Sequence, residues 1–202
     1  MARILGFAAL VAVLAQGLVA ARAWSGEVAG RVVVPVPVIQ ADLGAPLLLP
    51  GVEPDRPPVA TGPVLVYVAE AAGSLPRTAT AGVRVRLAGG KLNPPLVAVS
   101  LGSAIEFENA DRREHRMVSR SGPLHLDLGW QARGMTRELR ASQTGSIQVE
   151  CALHGDMRGE IVVLAHAAFV LADAAGGYRL PDLPPGRATI VAYAPRLGEV
   201  SR

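Results

Sequence analysis

Cys151, His154 and Met157 fall within seven residues of one another, and Cys151 is the only cysteine in a chain of 202 residues. Thiolate, imidazole and thioether are soft or borderline donors. A mononuclear electron-transfer copper ion takes one Cys, two His and a weak axial Met. The stretch Cys151-Ala152-Leu153-His154-Gly155-Asp156-Met157 lacks only the second imidazole, and His115, in Glu114-His115-Arg116, is the upstream candidate for it. The donor types assign the expected roles. Cys151 supplies a strong in-plane bond, His115 and His154 complete a trigonal set, and Met157 supplies a long axial bond that tunes the potential.

Other chemistry is open to the same residues. A lone thiol is often a small buried hydrophobe. A His beside a Cys can lower the thiol pKa and make a nucleophile, but no orienting group or oxyanion feature accompanies this pair. Zinc prefers four firm ligands, and thioether serves it poorly. A dinuclear copper centre would need a second Cys, which the chain lacks. His125 and His166 read as ordinary histidines outside the cluster.

Those residues must be held by strands. Gly145-Ser146-Ile147-Gln148-Val149-Glu150 alternates into Cys151, and Gly159-Glu160-Ile161-Val162-Val163-Leu164 reads as a second strand after it. Ala104 to Asn109 alternates ahead of a charged turn, so His115 is expected at a strand start. Further strands are read at Gly26 to Val34, Val64 to Ala69, Val83 to Leu87, Leu96 to Val99, Phe169 to Asp173, Tyr178 to Leu180 and Ala188 to Tyr193. Strands recurring every eight to twelve residues with turn residues between them point to an antiparallel sandwich or barrel. A short helix is expected only around Trp130 to Arg137. The strands after Leu164 are too few to bury a core alone; they are expected to pack on the preceding domain or to pair with strands around Val32 and Val66. Pro35 to Pro63 holds eight of the 16 prolines and reads as an irregular extended loop.

Residues 1–23 carry a basic start, an apolar run from Ile4 to Ala15 and the small-residue pattern Ala21-Arg22-Ala23. This is expected to be a secretory signal peptide cut after Ala23, leaving an exported, periplasmic chain with no stable membrane insertion. Its loss removes Arg3 and Arg22, so the net charge falls from +3 to +1. Bulk charge then gives no support to nucleic-acid binding. A single exported Cys cannot form an internal disulfide, and metal ligation accounts for it. Seven arginines between Arg112 and Arg140 face three acids, a local excess of +4 around His115 that suits an acidic redox partner.

The run from Val99 to Ser119, with Ile105-Glu106-Phe107-Glu108-Asn109-Ala110-Asp111 and then His115, resembles the cupredoxins, in which V-x-F-x-N-x-D precedes the first His ligand. The Cys151-His154-Met157 spacing is similar to that of amicyanin. The resemblance covers about residues 80–165. It implies an all-β Greek-key β-sandwich holding one mononuclear type 1 copper ion on His115, Cys151, His154 and Met157, and an electron carrier for protein partners rather than an enzyme. Copper storage or delivery, and a purely structural β-sandwich module, are the alternative functions. Arg116 stands where the family commonly has Asn after the first His, and Ala152 follows Cys151, so the hydrogen bonding around the ligands is expected to differ. The tail, with Asp173, Gly176-Gly177-Tyr178 and Leu183-Pro184-Pro185-Gly186, is similar to carboxypeptidase-regulatory-like β-sandwich repeats, and Gly26-x-Val28-x-Gly30-x-Val32 looks like the opening strand of that module. The chain is thus expected to comprise the signal peptide (1–23), an N-terminal β segment with the Pro-rich loop (24–79), a cupredoxin-like copper domain (80–165) and a C-terminal β extension (166–202).

Overall fold

The computed structural model describes residues 26–32, 62–77, 82–119 and 121–195, and the backbone of 198–201. The expected signal peptide, and the Pro-rich loop except for Gly62 and Pro63, lie outside the described residues. Every described element is a strand: β1 (Gly26–Arg31), β2 (Leu65–Ala71), β3 (Val83–Ala88), β4 (Lys91–Asn93), β5 (Leu96–Ser100), β6 (Ala104–Asn109), β7 (His115–Ser119), β8 (Leu126–Gln131), β9 (Thr136–Arg140), β10 (Gly145–Cys151), β11 (His154–Leu164), β12 (Phe169–Leu171), β13 (Gly177–Leu183), β14 (Ala188–Ala194) and β15 (Gly198–Ser201). Among the described residues no helix is long and apolar enough to cross a membrane.

Two sheets form the frame of the site, one ordered β5-β11-β10-β7-β8 and the other β4-β3-β6-β9. The chain passes from sheet to sheet between β4 and β11, and the two inner faces share one core. Side-chain period two decides which residues enter it. Val85 and Leu87 of β3, Ile105 and Phe107 of β6, and Ile147 and Val149 of β10 point inward while the intervening residues face solvent. Each large apolar side chain fully buried there contributes roughly 1.5–3 kcal/mol. The outer face of β3, β6 and β9 carries charge instead, with Arg84 bonded to Glu106 and Arg140 to Glu138.

The terminal strands pair with each other. β1 runs antiparallel to β13, and β2 lies between β12 and β14 in a second four-stranded sheet. β2 is buried on both faces. Val66 and Val68 enter a core with Leu180 and Leu183, while Leu65 and Tyr67 meet Leu96, Val162 and Tyr193. That second contact seats the terminal strands on the outer face of β5 and β11.

The helix expected at Trp130 to Arg137 is absent. Trp130 and Gln131 are the end of β8, registered against Arg116 and His115 of β7, and β9 starts at Thr136. The cross-strand ladder takes the backbone groups a helix would have used. Gly134, at φ +79, turns the chain between the two strands.

Candidate metal centre

The site forms where three inward-facing ladders run out at the same end of the core. Cys151 is the next inward position of β10 after Ile147 and Val149. Asn109 holds the same place on β6 after Ile105 and Phe107. His115 opens β7 two residues before the buried Met117. Cys151, Asn109 and His115 are all buried. Alternation alone therefore turns a thiol, an amide and an imidazole into one apolar pocket.

The fourth element is a bulge. Val149 pairs with Gly159 and Glu150 with Arg158, but Cys151 pairs with His154. One step along β10 is matched by four along β11, so Gly155, Asp156 and Met157 leave the ladder. β11 starts at His154, and only Ala152 and Leu153 separate the strands, a tighter connection than a loop running to Met157. The bulge brings His154 back toward Cys151 and sends Met157, fully buried, into the same core cluster. The Ala152 amide donates to the Arg116 carbonyl at 2.9 Å, tying the turn to β7.

His115 Nδ1 lies 3.7 Å from Cys151 Sγ, and His154 Nδ1 lies 3.5 Å from it. The two rings meet edge to face with centroids 5.0 Å apart. One donor atom from each of the three residues falls within 4.8 Å of the others. Metal–sulfur bonds of about 2.3 Å and metal–nitrogen bonds of about 2.0–2.1 Å, in trigonal to tetrahedral geometry, place sulfur and nitrogen about 3.5–3.8 Å apart. Both sulfur–nitrogen separations therefore match those around a shared ion. The set of one thiolate and two imidazoles is that of a His2Cys copper site.

What holds His115 was not singled out by its type or spacing. Its Nε2 lies 3.0 Å from Asp111 Oδ2. Asp111 in turn accepts from the Gly89 amide at 2.6 Å and the Gly90 amide at 3.0 Å. Gly89 and Gly90 stand at φ +62 and +70, the tight hairpin turn between β3 and β4 that only residues free of Cβ strain adopt readily. Burial by itself pushes the Asp111 carboxyl up, but the Gly90 and Gly89 amides and His115 outweigh it and hold the group below its usual range. Asp111 is then an ionised acceptor at neutral pH. It fixes the proton of His115 on Nε2 and leaves the Nδ1 lone pair facing Cys151. The hydrogen bonding that Arg116 cannot supply after the His comes from four residues before it.

Asn109 secures the turn that carries Asp111. Its Oδ1 accepts from the Asp111 amide at 2.9 Å, and its Nδ2 donates to the carbonyls of Arg113 and Gln131 at 2.8 and 2.7 Å. Gln131 is buried beside it and donates to the Phe107 carbonyl. Replacing Asn109 with Ala strands one half-buried amide and two carbonyls, that of Gln131 buried. The expected loss is about 3 kcal/mol in urea unfolding, accompanied by weaker metal binding because the turn holding Asp111 is released. Unchanged stability and affinity would show that the turn does not depend on this side chain.

No family model and no curated protein matches the sequence. Solved structures do show likeness. A reduced amicyanin variant overlaps 45% of this chain and 97% of its own, at 22% identity and a TM-score of 0.39. A copper-containing nitrite reductase from Thermus scotoductus overlaps 48% of this chain and 24% of its own, at 23% identity and a TM-score of 0.39. A purple cupredoxin from Nitrosopumilus maritimus overlaps 41% of this chain and 99% of its own, at 16% identity and a TM-score of 0.38. Over somewhat less than half of its length, the chain is similar in structure to cupredoxins.

Proposed function

We propose that the chain is an exported carrier of single electrons that holds one mononuclear copper ion on His115, Cys151, His154 and Met157. The observation that supports this most is the cluster of one thiol and two imidazoles, with Cys151 and His115 buried and His115 held by Asp111. Copper supplies the one-electron chemistry when bound. The residues supply a donor set that need not rearrange: Cys151 and His115 lie on paired strands of a close-packed sandwich, and the β11 bulge carries His154 and Met157. In this reading residues 80–165 are the copper unit, and the terminal strands form a second unit seated on it.

Of the imidazoles, His115 is buried and His154 is half-buried. His154 is thus the ligand nearest a docked partner. The surface at this end carries exposed Leu153, Trp130 and Met135. Arg112, Arg113 and Arg133 are exposed there and make no ion pair among the described residues. An apolar patch rimmed by unpaired arginines suits an acidic protein partner, attracted from solution and released readily at moderate salt.

A carrier keeps its metal. The copper-loaded protein is expected to bleach on addition of one reducing equivalent and to recover its colour on reoxidation, over repeated cycles in the presence of a chelator. Loss of copper to the chelator in the reduced state would sink the carrier reading in favour of copper delivery, for which a half-buried His154 is the exchangeable ligand.

Met157 has its own test. Met157→Leu conserves volume and is expected to cost less than about 1.5 kcal/mol of stability. It removes a weak donor that favours Cu(II), so the reduction potential should rise; Met157→Gln, a harder oxygen donor, should lower it. Identical potentials for all three proteins in voltammetry would take Met157 out of the ligand set.

A further inference from the structure

His166 lies in the short connection that leaves β11 at Leu164 and enters β12 at Phe169, where the terminal strands meet the sandwich. Phe169 pairs with Tyr67 of β2, so the next step of the register sets Ala168 opposite Val68. A hydrogen-bonded antiparallel pair exchanges two backbone bonds. Only one is made directly here: the Val68 amide donates to the Ala168 carbonyl at 3.1 Å. The Ala168 amide donates instead to His166 Nδ1, also at 3.1 Å, and the ring bonds the Val68 carbonyl. The imidazole thus stands in for a ladder bond.

This arrangement needs a neutral ring, because Nδ1 accepts from Ala168 only while it carries no proton. Burial pushes His166 down more than the Val68 carbonyl lifts it, which holds its pKa below the ordinary 6.5. Among the described residues no charged side chain acts on the ring; Glu70, two residues on along β2, and Arg77, next to the Pro76 that bonds Ala167, are both exposed. A histidine whose folded pKa is depressed contributes stability that is whole above about pH 6.5 and is lost as the pH falls through the folded value. The loss falls on one place. A protonated Nδ1 turns a hydrogen toward the Ala168 N–H, and β12, three residues long, starts at the next residue. Phe169 packs there with Leu65, Leu96 and Val162, in the core that seats the terminal strands on β5 and β11.

We propose that His166 is an acid-released latch between the copper unit and the terminal strands: neutral, its ring ties the exit of β11 to β2, and protonated, it lets the start of β12 leave β2 and takes Phe169 out of the shared core. The latch is separate from the metal centre and does not rest on the electron-carrier reading.

The test is NMR on the full chain between about pH 7.5 and about pH 4.5, following the His166 ring and the hydrogen exchange of the Val68 amide, corrected for its intrinsic pH dependence. The ring is expected to titrate below 6.5. Opening at Val68 should rise with the same midpoint, by at most about tenfold per pH unit because one proton is taken up. His166→Asn separates the latch from other effects of acid. Its Oδ1 accepts from an amide two residues on, as Nδ1 does here, and does not titrate. That variant should keep Val68 protected at neutral pH and lose the rise. Should it fail to fold, the coincidence of the two midpoints in the parent decides. Opening that stays flat through the His166 titration, a rise equally large in His166→Asn, or a ring that titrates at or above 6.5 would overturn the latch.

Discussion

Cys151→Ser is expected to abolish the intense visible absorption of the copper-loaded protein while leaving the fold in place. The band comes from charge transfer out of a thiolate, and the chain has no other sulfur that can be a thiolate. A serine hydroxyl has a similar shape but is a hard, neutral donor that does not ionise at working pH, so both the colour and much of the copper affinity should go together. The apo-protein should suffer far less. Burying a hydroxyl where a thiol stood costs about 1–3 kcal/mol when it is unpaired, and that range bounds the loss here, because His115 Nδ1 and His154 Nδ1 stand 3.7 and 3.5 Å from the sulfur, beyond hydrogen-bond reach of a hydroxyl without a local shift. The two measurements divide the readings of Cys151. A structural thiol predicts no coloured copper complex in the parent and a stability change as the main effect of the substitution. A ligand predicts a large change in the loaded protein and a small one in the empty protein. A visible band of undiminished intensity in the serine variant would sink the copper-thiolate assignment.

Much of the site's frame was legible because it follows from alternation. Ile147, Val149 and Cys151 sit on one face of β10 by period two, and the same rule put Ile105, Phe107 and Asn109 on one face of β6. A residue type with ligand chemistry at the last inward position of such a strand is a readable feature. His115 at the start of β7 was readable from the charged turn before it. The bulge at Gly155 to Met157 was not, because nothing in the pattern says that one step on β10 is matched by four on β11. The role of Asp111 was also hidden, although the residue lies within a recognisable run. Its importance depends on the Gly89-Gly90 turn folding over it from more than twenty residues away, and that approach is set by the parallel pairing of β3 with β6.

The stretch around Trp130 shows the opposite failure. Local composition allowed a helical turn there, and the tertiary ladder overrode it: Trp130 and Gln131 found partners on β7. The terminal strands carry the same lesson across greater separation. Gly26–Arg31 pairs with Gly177–Leu183, and Leu65–Ala71 with Ala188–Ala194. Periodicity marks each of these as a strand without saying which edge it meets. The pairing is decided by burial on both faces of β2, which needs one core with Leu180 and Leu183 and another with Leu96 and Val162.

Asp111→Ala is expected to weaken copper binding by about ten- to a hundredfold, the usual consequence of removing a carboxylate that orients a metal-bound histidine. The substitution deletes no ligand. It frees the His115 ring to rotate and to exchange its proton between Nδ1 and Nε2, so part of the population presents the wrong nitrogen to the ion. It also strands the Gly89 and Gly90 amides, which now donate to Asp111. Asp111→Asn separates these effects poorly, since its NH2 group would face donors on two sides, and it should behave much like Ala. A merely structural role would lower stability and affinity together and leave the bound copper unaltered. An orienting role moves the metal's own properties. A carboxylate behind His115 strengthens its donation and favours Cu(II), so Asp111→Ala should raise the reduction potential of whatever copper remains bound. The readout is therefore voltammetry on the loaded variant alongside the affinity measurement. A lower affinity with the potential unmoved would assign Asp111 to the fold of the turn, and an unchanged affinity would remove it from the site altogether.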